Sequence, residues 1–291
     1  MTNSKQEKHL TGLPKHLIDD AVTMALGEDL GTVGDITTLA TVPTAATSHA
    51  DIVSRQDGVI SGLDVAKRAF KAVDPELNFV CKVDDAGHVK AGTIVATVSG
   101  SSRAILTGER VALNFLGRMS GIASLTAQYV AETREYKAQI IDTRKTTPGL
   151  RAFEKYAVIC GGGANHRVGL YDAILIKDNH IAAAGGLKNA LRRAKAAAGH
   201  MIKIEVEVDT LEQLNDVLST GRCDAVLLDN MKPDMLAMAV EMIDGCMLAE
   251  ASGGVSLETV RAIAKSGVDL ISVGALTHSA PVLDLGLDFN D

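Results

Sequence analysis

The residues best equipped for chemistry lie between Asp142 and His180. They read Asp142-Thr143-Arg144-Lys145-Thr146-Thr147-Pro148-Gly149, then Cys160-Gly161-Gly162-Gly163-Ala164-Asn165-His166-Arg167, then Ile176-Lys177-Asp178-Asn179-His180. From Arg134 to Lys177, eight Lys or Arg stand against four Asp or Glu, inside a chain of formal net charge -7. Salt screens exposed charges beyond roughly 8 Å, so the global negative charge resists an anion only weakly. At short range the Arg fork matches carboxylates and phosphates with paired hydrogen bonds. Arg144 and Lys145 alone could be a solvated loop pair. Joined by His166, Arg167 and Lys177, they fit a small molecule carrying several negative charges.

The acids form a second group. Glu205 and Glu207 are two apart in a β-type run, which points both side chains to one face. On an exposed edge strand they would be solvated. Facing a barrel lumen they would need cations, a metal or a polar ligand, because buried unpaired charge is costly. Asp229, in Leu227-Leu228-Asp229-Asn230, poses the same choice from the next strand, its plain alternative being a cap on the following helix. Ser252-Gly253-Gly254 and Gly274-Ala275-Leu276 follow the last two β-type runs, where backbone N–H groups commonly hold phosphate. Gly161-Gly162-Gly163 is no nucleotide fingerprint, since neither G-x-G-x-x-G after a strand nor G-x-x-x-x-G-K-[ST] occurs.

The elements that must position these groups come next. At 291 residues the chain is long enough for two domains, or for one barrel with an extension. Hydrophobic content of 46% gives a sizeable core, while 3% aromatic residues, no Trp and a pI near 5.6 argue against a nucleic-acid surface. No window of about 18 apolar residues exists to span a membrane, and Met1 to Leu10 is polar, unlike a secretory signal. Cys81, Cys160, Cys223 and Cys246 are too widely spaced for a metal-thiolate site and read as reduced thiols. Cys160, His9, His16, His49, His88 and His200 read as packing or surface.

Residues 14–26 have helical spacing with Pro14 at the first helical position and Gly27 at the end. β-type runs around Ala50–Ser54, Phe79–Val83 and Thr93–Val98 follow, and a second helix spans Arg110–Val130. Gly117 and Gly121 weaken that helix by roughly 1 kcal/mol each relative to Ala, so close packing is expected there. Short runs then end in polar residues: Gln139–Ile141 into Asp142, Ala173–Ile176 into Lys177, Ile204–Val206 into Glu207. Ala225–Leu228 leads into Asp229, Met247–Ala249 into Glu250, and Leu270–Val273 into Gly274. Helices such as Leu187–Ala198, Leu211–Ser219 and Leu257–Ser266 lie between them. Repeating βα units predict a parallel barrel with its chemistry at the C-terminal strand ends, where these charges fall. Six visible strands are fewer than eight, which leaves an incomplete barrel or one or two further strands.

The series Glu109-Arg110…Asn114-Phe115-Leu116, Asp142–Arg151, Lys155-Tyr156-Ala157, Gly161–Asp172, Leu175–His180, Glu205-Val206-Glu207, Leu227–Met231, Glu250–Gly254 and Ser272–Ser279 resembles the quinolinate phosphoribosyltransferase family. The likeness extends from about residue 10 onward. It implies an α/β fold in which an open, sandwich-like α/β domain (1–128) precedes an incomplete, six- or seven-stranded α/β barrel (129–278). A C-terminal tail (279–291) would return to the first domain. The reduced thiols suit a cytoplasmic protein, and the resemblance implies a homodimer, or a hexamer of such dimers, acting on quinolinate and 5-phosphoribosyl-1-pyrophosphate with Mg²⁺. Quinolinate carboxylates would be held by Arg144, His166, Arg167, Lys177 and Arg110 of the partner subunit. Lys145, Thr146, Glu207 and Asp229 would serve the ribose-pyrophosphate side, with Lys145, Glu207 and Asp229 catalytic and Mg²⁺ near the two acids. The turns at Ser252, Gly253, Gly254, Gly274, Ala275 and Leu276 would take the 5-phosphate. Gly117 stands where relatives often carry a longer polar residue. Two rival readings are a sugar-phosphate aldolase or isomerase using Lys177 and Glu207, and a non-catalytic anion-binding protein.

Overall fold

The computed structural model describes residues 12–221 and 223–290, so the polar start with His9 lies outside it. Along the chain come α1 (Lys15–Leu30), α2 (Ile36–Thr41), β1 (Thr47–Ser54), β2 (Gly58–Val59), α3 (Leu63–Val73), β3 (Asn78–Cys81), β4 (His88–Val89), β5 (Ile94–Ser101) and α4 (Ser102–Thr133). Then follow β6 (Gln139–Ile141), α5 (Arg151–Cys160), β7 (Ile174–Ile176), α6 (Asp178–Ala184), α7 (Leu187–Ala197), β8 (Ile204–Val208) and α8 (Leu211–Thr220). The last are β9 (Ala225–Asp229), α9 (Pro233–Ile243), β10 (Leu248–Ser252), α10 (Val260–Lys265), β11 (Leu270–Ser272), α11 (Ala275–His278) and β12 (Leu285–Asn290). These divide into two compact units. The first takes in the described residues up to Ser124, the stretch Ala152–Gly161 and the C-terminal residues from Ala280. The second comprises Leu125–Arg151 and Gly162–Ser279.

In the first unit an antiparallel sheet has the order β12-β1-β5-β3. Along β1, alternation buries Ala50, Ile52 and Ser54. Phe70 of α3 meets Phe79 of β3 with ring centroids 5.8 Å apart. The chain's end adds β12 beside β1, from Ser54↔Leu285 to His49↔Asn290. Two local expectations need correction. Pro14 is the N-cap of α1 rather than its first helical residue, and α1 runs past Gly27 to Leu30. Apolar spacing stops at Leu26, but the backbone ladder continues, with Gly31 N donating to Gly27 O at 3.1 Å.

The glycines of α4 answer to packing. A Cβ on Gly121 would lie 1.9 Å from the Pro281 carbonyl oxygen, and one on Gly117 would lie 2.9 Å from Val282 Cγ1 and 3.0 Å from Leu283 O. Leu283 N donates to Gly117 O at 3.0 Å, so a longer side chain at 117 has no room in this chain. Ala at 121 would gain about 1 kcal/mol of helix propensity, yet a backbone oxygen at 1.9 Å cannot yield cheaply. Gly121→Ala is therefore expected to lower the unfolding free energy by about 2 kcal/mol net in urea titration. A variant as stable as the wild type would refute this packing.

In the second unit a wholly parallel sheet has the order β6-β11-β10-β9-β8-β7. Among the described residues the two edge strands do not pair with each other, so the barrel is incomplete. Ala164 adds a seventh extended point on the free side of β6 through a single parallel bridge to Ile141. Ala164 N donates to Ile140 O at 2.9 Å and Asp142 N donates to Ala164 O at 3.2 Å. Strand alternation then sorts the side chains. Val206, Val226, Leu228, Ala249, Ala251 and Ile271 are buried on one face. Glu205, Glu207, Leu227, Asp229, Glu250, Ser252 and Ser272 take the other parity, in register across the strands. No described helix is long and apolar enough to cross a membrane.

Candidate active site

That second parity lines a cavity of about 320 Å³ at the C-terminal strand ends. Thr143, Arg144 and Lys145 enter it after β6, His166 and Arg167 from the loop after α5, and Lys177 after β7. Leu175, Glu207, Leu227, Asp229, Glu250, Ser252 and Ser272 complete the lining. The volume suits a small ligand. Glu205 and Glu207 are not on an exposed edge, since β8 lies between β7 and β9. Asp229 does not cap the next helix either: α9 has Lys232 at its N-cap.

Two guanidinium groups share the cavity. The Arg144 Nε is buried and has no hydrogen-bond partner. Arg167 spends one donor on the Ala173 carbonyl at 3.2 Å. Burial, and then the charge of Arg144, lower the Arg167 pKa from its ordinary value. Two guanidinium groups that repel each other in a partly dry cavity are an arrangement an anion would relieve.

The acids lie among further cations. Glu207 is ion-paired to Lys177. That pairing makes Lys177 a held ammonium, a poor start for the neutral amine of a Schiff-base aldolase. The Asp229 carboxyl is pushed up by burial first and then by the charges of Glu207 and Asp209. Asn230, at φ 54, donates its amide to Asp229 Oδ2 at 2.6 Å.

Beneath them, His166 is held from several directions. Its backbone N–H donates to Asp142 Oδ1 at 2.9 Å, and Asn165 Nδ2 donates to Asp142 Oδ2 at 2.7 Å. Asp142 itself is fully buried. His166 Nε2 lies 3.2 Å from Glu205 Oε2 and 3.6 Å from Glu250 Oε2. Ligand atoms of these three residues fall within 4.8 Å of one another, close enough to converge on a cation. His166 Nδ1, however, accepts the Arg167 N–H at 2.6 Å, which leaves the ring proton on Nε2 facing the two acids. A metal-ligating His instead presents a bare nitrogen to the ion and donates from the other one.

The remaining expected residues do not line this cavity. Thr146 Oγ1 accepts from Arg151 Nε at 2.9 Å. Gly253, at φ +88, has no space for a side chain, since a Cβ would lie 2.2 Å from Asn230 Oδ1; Gly254 follows at φ +60. A Cβ on Gly274 would meet Lys145 Cδ at 3.1 Å. Ala275 opens the short helix α11, and the Leu276 side chain is fully buried. Arg110 is exposed on α4 within the first unit. Thr143, Leu175, Leu227 and Ser272 are lining residues that the sequence alone did not single out, and Glu250, read there only as a strand end, lies inside β10. All four cysteines are free, and burial pushes the Cys160 and Cys223 thiols up to about 11.

Comparison with known proteins points to one family. The family model described as "Quinolinate phosphoribosyl transferase, C-terminal domain" matches residues 122–288, and its N-terminal counterpart matches residues 35–120. A nicotinate-nucleotide pyrophosphorylase [carboxylating] of Mycobacterium leprae is 46% identical over 274 residues, covering 92% of this chain and 96% of that protein. A probable enzyme of the same name from Bacillus subtilis is 42% identical over 261 residues, covering 90% and 89%. The solved structure of the nicotinate-nucleotide pyrophosphorylase from Francisella tularensis has a TM-score of 0.92 at 38% identity, covering 97% of this chain and 99% of that one.

Proposed function

The chain belongs to the quinolinate phosphoribosyltransferase family, and from that premise we propose how its residues divide the work. The protein is a pentosyltransferase of NAD biosynthesis. It joins quinolinate to 5-phosphoribosyl-1-pyrophosphate with decarboxylation, releasing nicotinate mononucleotide, pyrophosphate and carbon dioxide.

Arg144 and Arg167 receive the two quinolinate carboxylates, with Lys177 and His166 beside them and Arg110 of the partner subunit closing the site in a homodimer. The observation that carries this assignment is the buried, unanswered Arg144 Nε next to a second guanidinium. Charge-assisted hydrogen bonds contribute roughly 1.5–3 kcal/mol each. Three or four of them reach about micromolar affinity after the cost of association.

Lys145, Thr146, Glu207 and Asp229 serve the second substrate, and the turns at Ser252–Gly254 and Gly274–Leu276 serve its 5-phosphate. As pyrophosphate departs with the electron pair of the broken C–O bond, positive charge builds on the ribose. Glu207 and Asp229 face that charge, and Lys145 faces the departing oxygens. The quinolinate ring nitrogen supplies the pair for the new bond to carbon. The resulting N⁺ then stabilises the electron pair left on the neighbouring carbon when carbon dioxide is lost, and that carbon takes up a proton.

Magnesium fits at Asp229 because its carboxylate lies in the negative field of Glu207 and Asp209, whereas Glu207 is occupied by Lys177. When bound with the pyrophosphate, Mg²⁺ would neutralise its oxygens. We place the enzyme in the cytoplasm.

The test is a direct assay of the purified protein with quinolinate, 5-phosphoribosyl-1-pyrophosphate and Mg²⁺. Equal amounts of nicotinate mononucleotide and pyrophosphate are expected. EDTA should abolish product, and so should nicotinate offered in place of quinolinate, because one carboxylate's share of cationic contacts goes unused. No product from the complete mixture would overturn the reading.

A further inference from the structure

We propose that Glu250 is a positioning residue of this reaction: it carries the one proton it shares with Glu205, so that Glu205 alone receives the Nε2–H of His166 and the imidazole stands neutral in the cavity wall. The inference rests on the functional reading above only for its kinetic consequence.

The geometry leaves few alternatives. His166 Nδ1 accepts the Arg167 amide at 2.6 Å, so the ring has one proton, on Nε2. That single N–H meets two carboxylates, Glu205 Oε2 at 3.2 Å and Glu250 Oε2 at 3.6 Å. The first is within hydrogen-bond range and the second is beyond it. With the three groups inside 4.8 Å of one another, two buried carboxylates cannot both ionise beside a neutral ring. Exposure selects which one keeps the proton: Glu205 is 9% exposed and Glu250 is 1% exposed.

The surroundings agree. Asp142 faces Glu250 from the end of β6, Glu205 from β8 and His166 from the loop after α5. Asp142 and Glu205 add negative charge; the same cavity also takes Leu227 and Asp229 from β9, Ser272 from β11, Glu207 from β8 and the cations Arg144, Lys145, Arg167 and Lys177. Burial, followed by the charge of Glu205, pushes the Glu250 carboxyl well above its ordinary range. Glu250 Oε1 is buried without a partner. An ionised Glu250 would set a second negative charge under a site that must accept a dianion. A neutral His166, with its Nε2–H given to Glu205 and its Nδ1 to the Arg167 N–H, contributes shape and holds Arg167 in place, and the positive charge is left to Arg144, Arg167 and Lys177.

Three readouts test this. In ¹⁵N NMR of the substrate-free protein at pH 7, the His166 ring should show a protonated Nε2 and a bare Nδ1, both in the wild type and in Glu250→Gln. A doubly protonated ring would overturn the proposal. In kinetics, Glu250→Ala should lower kcat/KM about a hundredfold, chiefly through the KM for quinolinate, by leaving Glu205 without its donor. Glu250→Gln should recover at least about tenfold of that loss, since an amide N–H can donate to Glu205 as the acid O–H does. A Gln variant no better than Ala would overturn it.

The third readout is stability. A carboxyl whose folded pKa is raised contributes stability that is present at low pH and lost as pH rises through the folded value. Gln has no proton to lose. The Tm of Glu250→Gln minus that of the wild type should therefore grow as pH is raised from about 5 to about 9. A constant difference would count against the proposal. The NMR and melting readouts need neither substrate nor the Ala variant, so they judge Glu250 even if the Ala protein does not fold. A wild type inactive on quinolinate would instead strike the functional reading.

Discussion

Arg167→Ala and Arg144→Ala are each expected to lower kcat/KM for quinolinate by about 30-fold to several thousandfold, equivalent to roughly 2–5 kcal/mol. Each change leaves one substrate carboxylate facing a cavity without its guanidinium. Thermal stability should move little or rise, because the two arginines repel each other in the empty cavity and burial already works against the Arg167 charge. Loss of activity without loss of stability is the pattern of groups held for a ligand rather than for the fold. Wild-type kcat/KM in either variant would remove it from the quinolinate site. A large drop in Tm at both positions would make them structural residues instead.

Asp142→Ala should fail in the opposite way, by loosening the fold and activity together. The fully buried Asp142 carboxylate accepts the His166 backbone N–H and the Asn165 amide, tying the 164–167 segment to the end of β6. Each buried donor left unanswered costs about 1–3 kcal/mol, so a loss of roughly 3–4 kcal/mol is expected in urea unfolding. His166 and Arg167 would lose their common anchor, and turnover should fall with stability. Asp142→Asn should rescue only part of this, because one of its two acceptor oxygens becomes a donor facing the Asn165 amide. Stability within about 0.5 kcal/mol of wild type would show that Asp142 does not anchor this segment.

Much of this site was legible in the sequence because the barrel repeats one device. A short β-type run followed by a charged residue recurs at Asp142, Lys177, Glu207 and Asp229, and the strands do bring these to one end of one sheet. Where a strand outruns its apolar run, the reading stops short. β10 continues to Ser252, so Glu250 is an interior lumen residue rather than a strand end. Leu175, Leu227 and Ser272 look like ordinary core, and only their shared parity with Glu205, Asp229 and Glu250 betrays them.

Helix α5 stayed hidden for an electrostatic reason. Glu154 and Lys155 are buried on it at 1% and 3% exposure, and Glu154 is matched by Arg118 at 2.8 Å, so its charges do not mark a solvent face. Strand β12 pairs with residues more than 230 positions earlier. No local pattern encodes such a pairing, and only the family resemblance suggested that the tail returns. The packing of Gly117 and Gly121 was legible as a cost in search of a cause; that the cause is the 281–283 backbone was not.

The whole account depends on a substrate dianion resting against the guanidinium groups of the second unit. A crystal structure with quinolinate bound tests that most directly. The expected result is the pyridine ring in the β6–β11 barrel mouth, with its carboxylates about 2.7–2.9 Å from Arg144 and Arg167 nitrogens and Arg144 Nε no longer without a partner. Quinolinate bound elsewhere, or in this cavity with both arginines turned away from it, would contradict the account.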